Sequence, residues 1–249
     1  MQENLPELNS ILYSGKLSFN KWGKRFEQSI RSYIGNDKFL AVNSYNSAML
    51  IAISVLDLKP GDHVIASPMS CLASNQPFIT QGLNVIWADI DPNTGTLDPE
   101  DVRKKITGRT KAIFHNHHCG YLGYIDEIKT ICIEKGLYLV DDAIEAFGSE
   151  FKGKETGNLE ADITVFSFQT VRLPNTVDGG GLAFGNYELF NKALLQRDLG
   201  INRSIFRDEF GEISKDCDII SPGFGAMISE FNCYIGESQM STINILIDR

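Results

Sequence analysis

Short apolar, β-branched runs recur along the chain at 39–42, 63–66, 84–88, 112–115, 137–140, 163–168 and 181–184. Most are unbroken rather than alternating, the pattern of strands covered on both faces. Amphipathic stretches at 48–56, 72–81, 99–106 and 125–135 fall between them. This alternation predicts an α/β fold, a mostly parallel seven-stranded sheet sandwiched by helices. Turn chemistry agrees. Lys59-Pro60-Gly61-Asp62 separates a helix from a strand, and Asp91-Pro92-Asn93-Thr94-Gly95 follows the third run. Asp98 reads as an N-cap with Pro99 at the first helical position, and Gly136 closes the helix before the fifth run. Residues 208–225 are polar and irregular, and 227–247 are amphipathic enough for a helix. With no repeat, low-complexity tract or linker, residues 1–249 read as a single domain.

Composition narrows the class. The 249 residues are 43% apolar and 22% charged, as in an ordinary globular protein. The net charge of −9 argues against nucleic acid as a main partner, because phosphate binding needs a basic face. No apolar run approaches the ~20 residues of a membrane span, and the polar start MQENLPELNS is not a signal peptide. Five cysteines without a CxxC pattern predict reduced thiols and a cytoplasmic protein.

In a parallel α/β sheet, ligands sit beyond the carboxyl ends of the strands. Four segments fall there. Asn43-Ser44-Tyr45-Asn46-Ser47-Ala48 could present backbone N–H groups to a phosphate at a helix N-terminus, or form a plain cap. Asp141-Asp142 could hold a cationic ring nitrogen or a metal, or be ordinary capping acids. Residues 166–172 run from a strand into a polar turn, and Asp178-Gly179-Gly180-Gly181 suggests close approach of backbone to a ligand or another strand. His115-Asn116-His117-His118-Cys119 matches no standard zinc spacing, so no metal is expected; one or two of its histidines would point at a ligand.

In this order and spacing, the stretches SGKLSFNKWGKRFEQSI, NSYNSAMLIAISVLDLKPGDHVIASP, ADIDPNTGTLDPEDV, TKAIFHNHHCGYLGYIDEI, LYLVDDAIEAFGSEFKGKETGNLEADITVFSF and DGGGLAF resemble the pyridoxal-phosphate (PLP) sugar aminotransferases of the DegT/StrS type. The resemblance runs from about Ser14 to the end of the chain. It implies the large domain of PLP fold type I, with an N-terminal extension at about 1–35 and without the family's small C-terminal domain. It also implies PLP as cofactor, a nucleotide-linked keto sugar and an amino-acid donor as substrates, and a homodimer. By the same resemblance Asp142 pairs with the pyridinium nitrogen, so that the ring can act as an electron sink. Ser167, Asn46 and Ser47 receive the cofactor phosphate, and His117 matches a histidine common in the family. Asn202 corresponds to an asparagine that reaches a partner subunit's phosphate site.

Four positions depart from the family's pattern. The Schiff-base lysine, five residues after the phosphate serine, is Arg172, and no lysine lies between Lys154 and Lys192. An arginine stays protonated and delocalised, so it can neither form the imine nor shuttle the proton. Cys71 stands where an aromatic stacks on the cofactor ring, Glu145 where His or Gln meets the phenolic oxygen, and Tyr45 where a glycine or alanine is usual. The expectation is impaired transamination. The alternatives are a non-catalytic homologue, acting as partner subunit or sugar-nucleotide binder, and a lysine-independent PLP/PMP sugar dehydratase. Family dehydratases carry histidine at the lysine position, which Arg172 does not match.

Overall fold

The computed structural model describes residues 5–248. Residues 1–4, the beginning of the polar start MQENLPELNS, and Arg249 lie outside the described residues. Helices α1 (Leu8–Tyr13) and α2 (Lys21–Ile34) precede strand β1 (Phe39–Val42). Then come α3 (Tyr45–Val55), β2 (His63–Ala66), α4 (Leu72–Thr80), β3 (Asn84–Trp87), α5 (Pro99–Lys105) and β4 (Thr110–Asn116). Helix α6 (Ile125–Lys135) leads to β5 (Tyr138–Asp142), the small β6 (Glu150–Phe151) and β7 (Lys154–Glu155) pair, β8 (Ile163–Ser167) and β9 (Gly180–Phe184). Helices α7 (Tyr187–Gln196), α8 (Glu230–Met240) and α9 (Ile243–Ile247) complete the described chain.

The main sheet has seven strands in the order β1-β9-β8-β5-β4-β2-β3. Its middle is parallel, whereas β9 runs antiparallel to both β8 and β1. The seven predicted runs are these seven strands. The inner strands are nearly continuous in burial, and β3 at the edge is half-exposed.

Alternate strand residues serve opposite faces. Leu40, Val42, Val64, Phe114, Val140, Val165 and Leu182 pack with α3, α4 and α7. On the other face Ile65, Ile113 and Leu139 pack under α5 and α6, while Phe39, Phe166 and Phe168 meet α2 and α8. The sheet is thus a middle layer between two layers of helices.

Helix α2 begins within the SGKLSFNKWGKRFEQSI stretch and runs four residues beyond it, and is not among the predicted elements. Trp22, Phe26, Ile30 and Ile34 recur every fourth residue, and Phe26, Ile30 and Ile34 are buried. Burying each such side chain contributes about 1.5–3 kcal/mol. Gly35 closes the helix in the left-handed conformation that an L-residue disfavours. At the other end the Glu230 carboxylate accepts the Asn20, Trp22 and Gly23 N–H groups. That answers both the orphan donors and the positive end of the helix dipole.

Other boundaries follow local caps. Asp98 caps α5 by accepting the Glu100 N–H, with Pro99 in the first turn, and Gly136 ends α6 in the left-handed region. Helix α3 starts at Tyr45 rather than at 48, because the Ser44 side chain accepts the Ser47 N–H. The predicted C-terminal helix is two, broken at Ser241 and Thr242. Residues 208–225 carry no helix or strand.

Candidate active site

The carboxyl ends of β4, β5 and β8, with the turn between β1 and α3, gather most of the polar side chains singled out from the sequence. Parallel register sets Asn116 of β4 beside Asp142 of β5, and Asp142 beside Val165 of β8. Asp142 is completely buried. Its Oδ1 accepts from the Tyr45 hydroxyl at 2.9 Å and the Ile144 N–H at 3.2 Å. Its Oδ2 accepts from Ser74 and Asn116, each at 2.7 Å. Burial pushes the Asp142 carboxyl above its ordinary range, and the four bonds oppose that shift. Tyr45 is held well above the usual tyrosine value, first by burial and then by the Asp142 charge, so it remains a donor.

The candidate phosphate turn is closed on itself. Ser44 Oγ accepts the Ser47 N–H at 3.1 Å, and the Ser47 hydroxyl donates to Asn43 Oδ1 at 2.7 Å. A Cβ on Gly180 would come within 2.7 Å of the Ser44 carbonyl oxygen, and one on Gly181 would strike the Phe39 ring. The glycine run therefore serves the close approach of β9 to β1 and the β1–α3 turn. Ser167 is buried and its hydroxyl has no hydrogen-bond partner, an open polar group at the end of β8.

Arg172 lies in the turn after β8, and its Nη1 is 3.2 Å from Glu145 Oε1. The other Glu145 oxygen accepts the Cys119 N–H. Arg172 and Glu145 line two neighbouring cavities. One, of about 420 Å³, also takes in Cys71, Asn116 and His118. The other, of about 320 Å³, takes in Cys119 and Ser149. No lysine is among the described residues lining either. His118, Cys119 and Glu145 offer ligand atoms within 4.8 Å of one another, a grouping that spacing alone did not suggest. Both Glu145 oxygens there are already engaged.

Asn46, Ser47 and Ser167 do not line these two cavities, and neither does His117. The His117 ring is fully buried, packed edge-on against His115 with centroids 5.0 Å apart. Its Nε2 is 3.7 Å from Asp141, a residue as buried as itself. Asn202 lines a separate cavity of about 970 Å³ with Phe19, Lys24, Arg197 and Arg203, and its side chain accepts from Ser204. Sequence reasoning did not assign Ser74 or Asn116 to Asp142. The register of β4 on β5 and the first turn of α4 put them there, and neither leaves a local signature.

The model of the DegT/DnrJ/EryC1/StrS aminotransferase family matches residues 1–249. The chain belongs to that family. Spore coat polysaccharide biosynthesis protein SpsC of Bacillus subtilis is 28% identical over 243 residues, 98% of this chain and 62% of that protein. The crystal structure of the sugar aminotransferase CalS13 from Micromonospora echinospora superposes with a TM-score of 0.92 at 25% identity. That match covers all of this chain and 68% of CalS13. NtdA from Bacillus subtilis, solved with bound cofactor PMP, gives 0.86 at 26% identity, over 97% of this chain and 52% of its own. The chain spans 62–64% of the curated relatives it matches. The α/β fold with its mostly parallel seven-stranded sheet is that of the family's PLP fold type I enzymes. No helix among the described residues is long and apolar enough to cross a membrane.

The family's cofactor does not fit the donor set as it is folded here. Asp142 has no acceptor position left, the Ser47 N–H is taken by Ser44, and position 172 offers no neutral amine. The Ser167 hydroxyl has no protein partner, but it lines neither cavity.

Proposed function

We propose that this chain is a sugar-aminotransferase homologue that does not itself transaminate. Its retained role is non-catalytic: it binds a nucleotide-linked keto sugar, or serves as a partner subunit, in amino-sugar or polysaccharide synthesis. A homodimer in the cytoplasm and the assignment of Asp142, Ser167, Asn46, Ser47 and Asn202 to an ancestral cofactor site belong to the same proposal.

The observation that carries it is Arg172. Imine formation needs an uncharged amine, and a guanidinium ion-paired with a carboxylate supplies none. The Glu145 carboxylate beside it adds negative charge where an oxyanion would lie. The cavity beside Cys119 and Ser149 is polar and open enough for part of a sugar.

Incubation with PLP, reduction with borohydride and peptide mass spectrometry test the reading. The expected result is no stoichiometric adduct on any residue lining the two cavities. A one-to-one adduct there, with turnover of a keto sugar nucleotide and glutamate, overturns it. Calorimetry with nucleotide sugars is expected to give binding that added PLP does not change.

A further inference from the structure

A carboxylate offers about four acceptor positions. On Asp142 all are used: Tyr45 and Ile144 on one oxygen, Ser74 and Asn116 on the other. Three of these donors are placed by the frame of the fold. Asn116 comes from the neighbouring strand in register, the Ile144 N–H from the chain just beyond β5, and Ser74 from the first turn of α4. Tyr45 differs. It opens α3, and its ring reaches from there into the interior to donate to Asp142. It is nearly fully buried, within the cluster that includes Val42, Met49 and Ile144. Its hydroxyl oxygen also lies 3.3 Å from Ser74 Oγ, and each of the two hydroxyls directs its single proton to Asp142.

We propose that Tyr45 is a built-in occupant of the cofactor site: its hydroxyl takes the acceptor position on Asp142 that a pyridinium nitrogen needs, and its ring fills the space beside it. This rests on reading Asp142 as the ancestral ring-nitrogen partner. The Asp142 carboxylate is satisfied by protein alone, so the chain needs no cofactor to satisfy it. A pyridine ligand would have to expel a packed ring and leave its hydroxyl unpaired, which buried polar groups resist. The exclusion extends to every pyridine cofactor form, including those that need no lysine. Arg172 alone therefore does not account for the loss of the site.

Pyridoxamine 5′-phosphate is the probe that isolates Tyr45. It carries an amine in place of the aldehyde, so it forms no imine with surface lysines and needs no lysine at position 172. Equilibrium dialysis and thermal melting, with and without the probe, would compare the native chain, Arg172→Lys, Tyr45→Ala and Tyr45→Ser. The native chain and Arg172→Lys are expected to exclude it and to melt unchanged. The Tyr45 variants are expected to bind it at least about tenfold more tightly, the worth of one hydrogen bond to a charged acceptor. Their melting temperature should rise with its concentration.

A variant that folds only with the probe present counts as binding. One-to-one binding by the native chain, or by Arg172→Lys alone, overturns the proposal while leaving the borohydride test of Arg172 untouched. Exclusion by every folded form, or variants that stay unfolded with the probe, also overturns it. In either case something other than Tyr45 closes the site.

Discussion

At the residue scale, most of what the polar side chains do is hold the frame. Glu230 is the clearest case, buried and accepting three backbone N–H groups at the head of α2. Replacing it by alanine leaves three helix-end donors without an acceptor. Glu230→Ala is expected to lower unfolding stability by about 2–4 kcal/mol, combining a lost cap with unsatisfied buried donors. Urea denaturation reads this directly, and a change below about 0.5 kcal/mol, the size of an ordinary surface substitution, would refute it. The same scale shows the limit of local reading. Asp142 stands out in sequence because it follows an apolar run, and Ser167 and Arg172 because of their positions in the family's pattern. That the Tyr45 hydroxyl ends on Asp142, 97 positions away, depends on how α3 packs across the sheet.

At the element scale, sheet and helices were legible to within a few residues, because unbroken apolar runs and caps are local signals. Helix α2 is absent from the predicted elements although its four-residue apolar spacing is present in the sequence. The antiparallel direction of β9 was not written in its own residues; it comes from a return loop, 168–179, that carries no crossover helix. The glycines of that strand are steric requirements of the return. Gly180→Ala would press a methyl group onto the fixed Ser44 carbonyl. A loss of about 1–3 kcal/mol is expected, as for overpacked interiors. Differential scanning calorimetry should show a lower melting temperature with unchanged secondary structure by circular dichroism. An equal or higher melting temperature would mean that β9 shifts freely.

At the scale of the whole molecule, buried titratable groups tie stability to pH. Burial, with His117 beside it, depresses His115 to about 4 from an ordinary 6.5. The unfolded chain then takes up a proton that the folded chain refuses. The His115 contribution is therefore complete above pH 6.5 and is lost as pH falls towards 4, about 3 kcal/mol in all. Asp142 acts in the opposite sense. Its raised carboxyl weakens the fold at neutral pH and favours it as acid is added. The difference in stability between the native chain and His115→Asn should hence narrow from pH 7 to pH 4.5. Urea titrations at both values measure it, and a constant difference would place His115 outside the pH response.

The sequence by itself determined the family, the alternation of strands and helices, the strand-end positions of the polar candidates, and the arginine where the family has lysine. These are local facts: periodicity, capping chemistry and residue identity at a fixed spacing. Only the tertiary structure decided which strands run antiparallel, that His117 turns inward to Asp141, and that Asn202 lines a different cavity from Arg172. It also decided that four donors saturate Asp142. The physical reason is the same in each case. A hydrogen bond between distant residues is set by strand register and helix packing, and neither is encoded at the residues that make the bond.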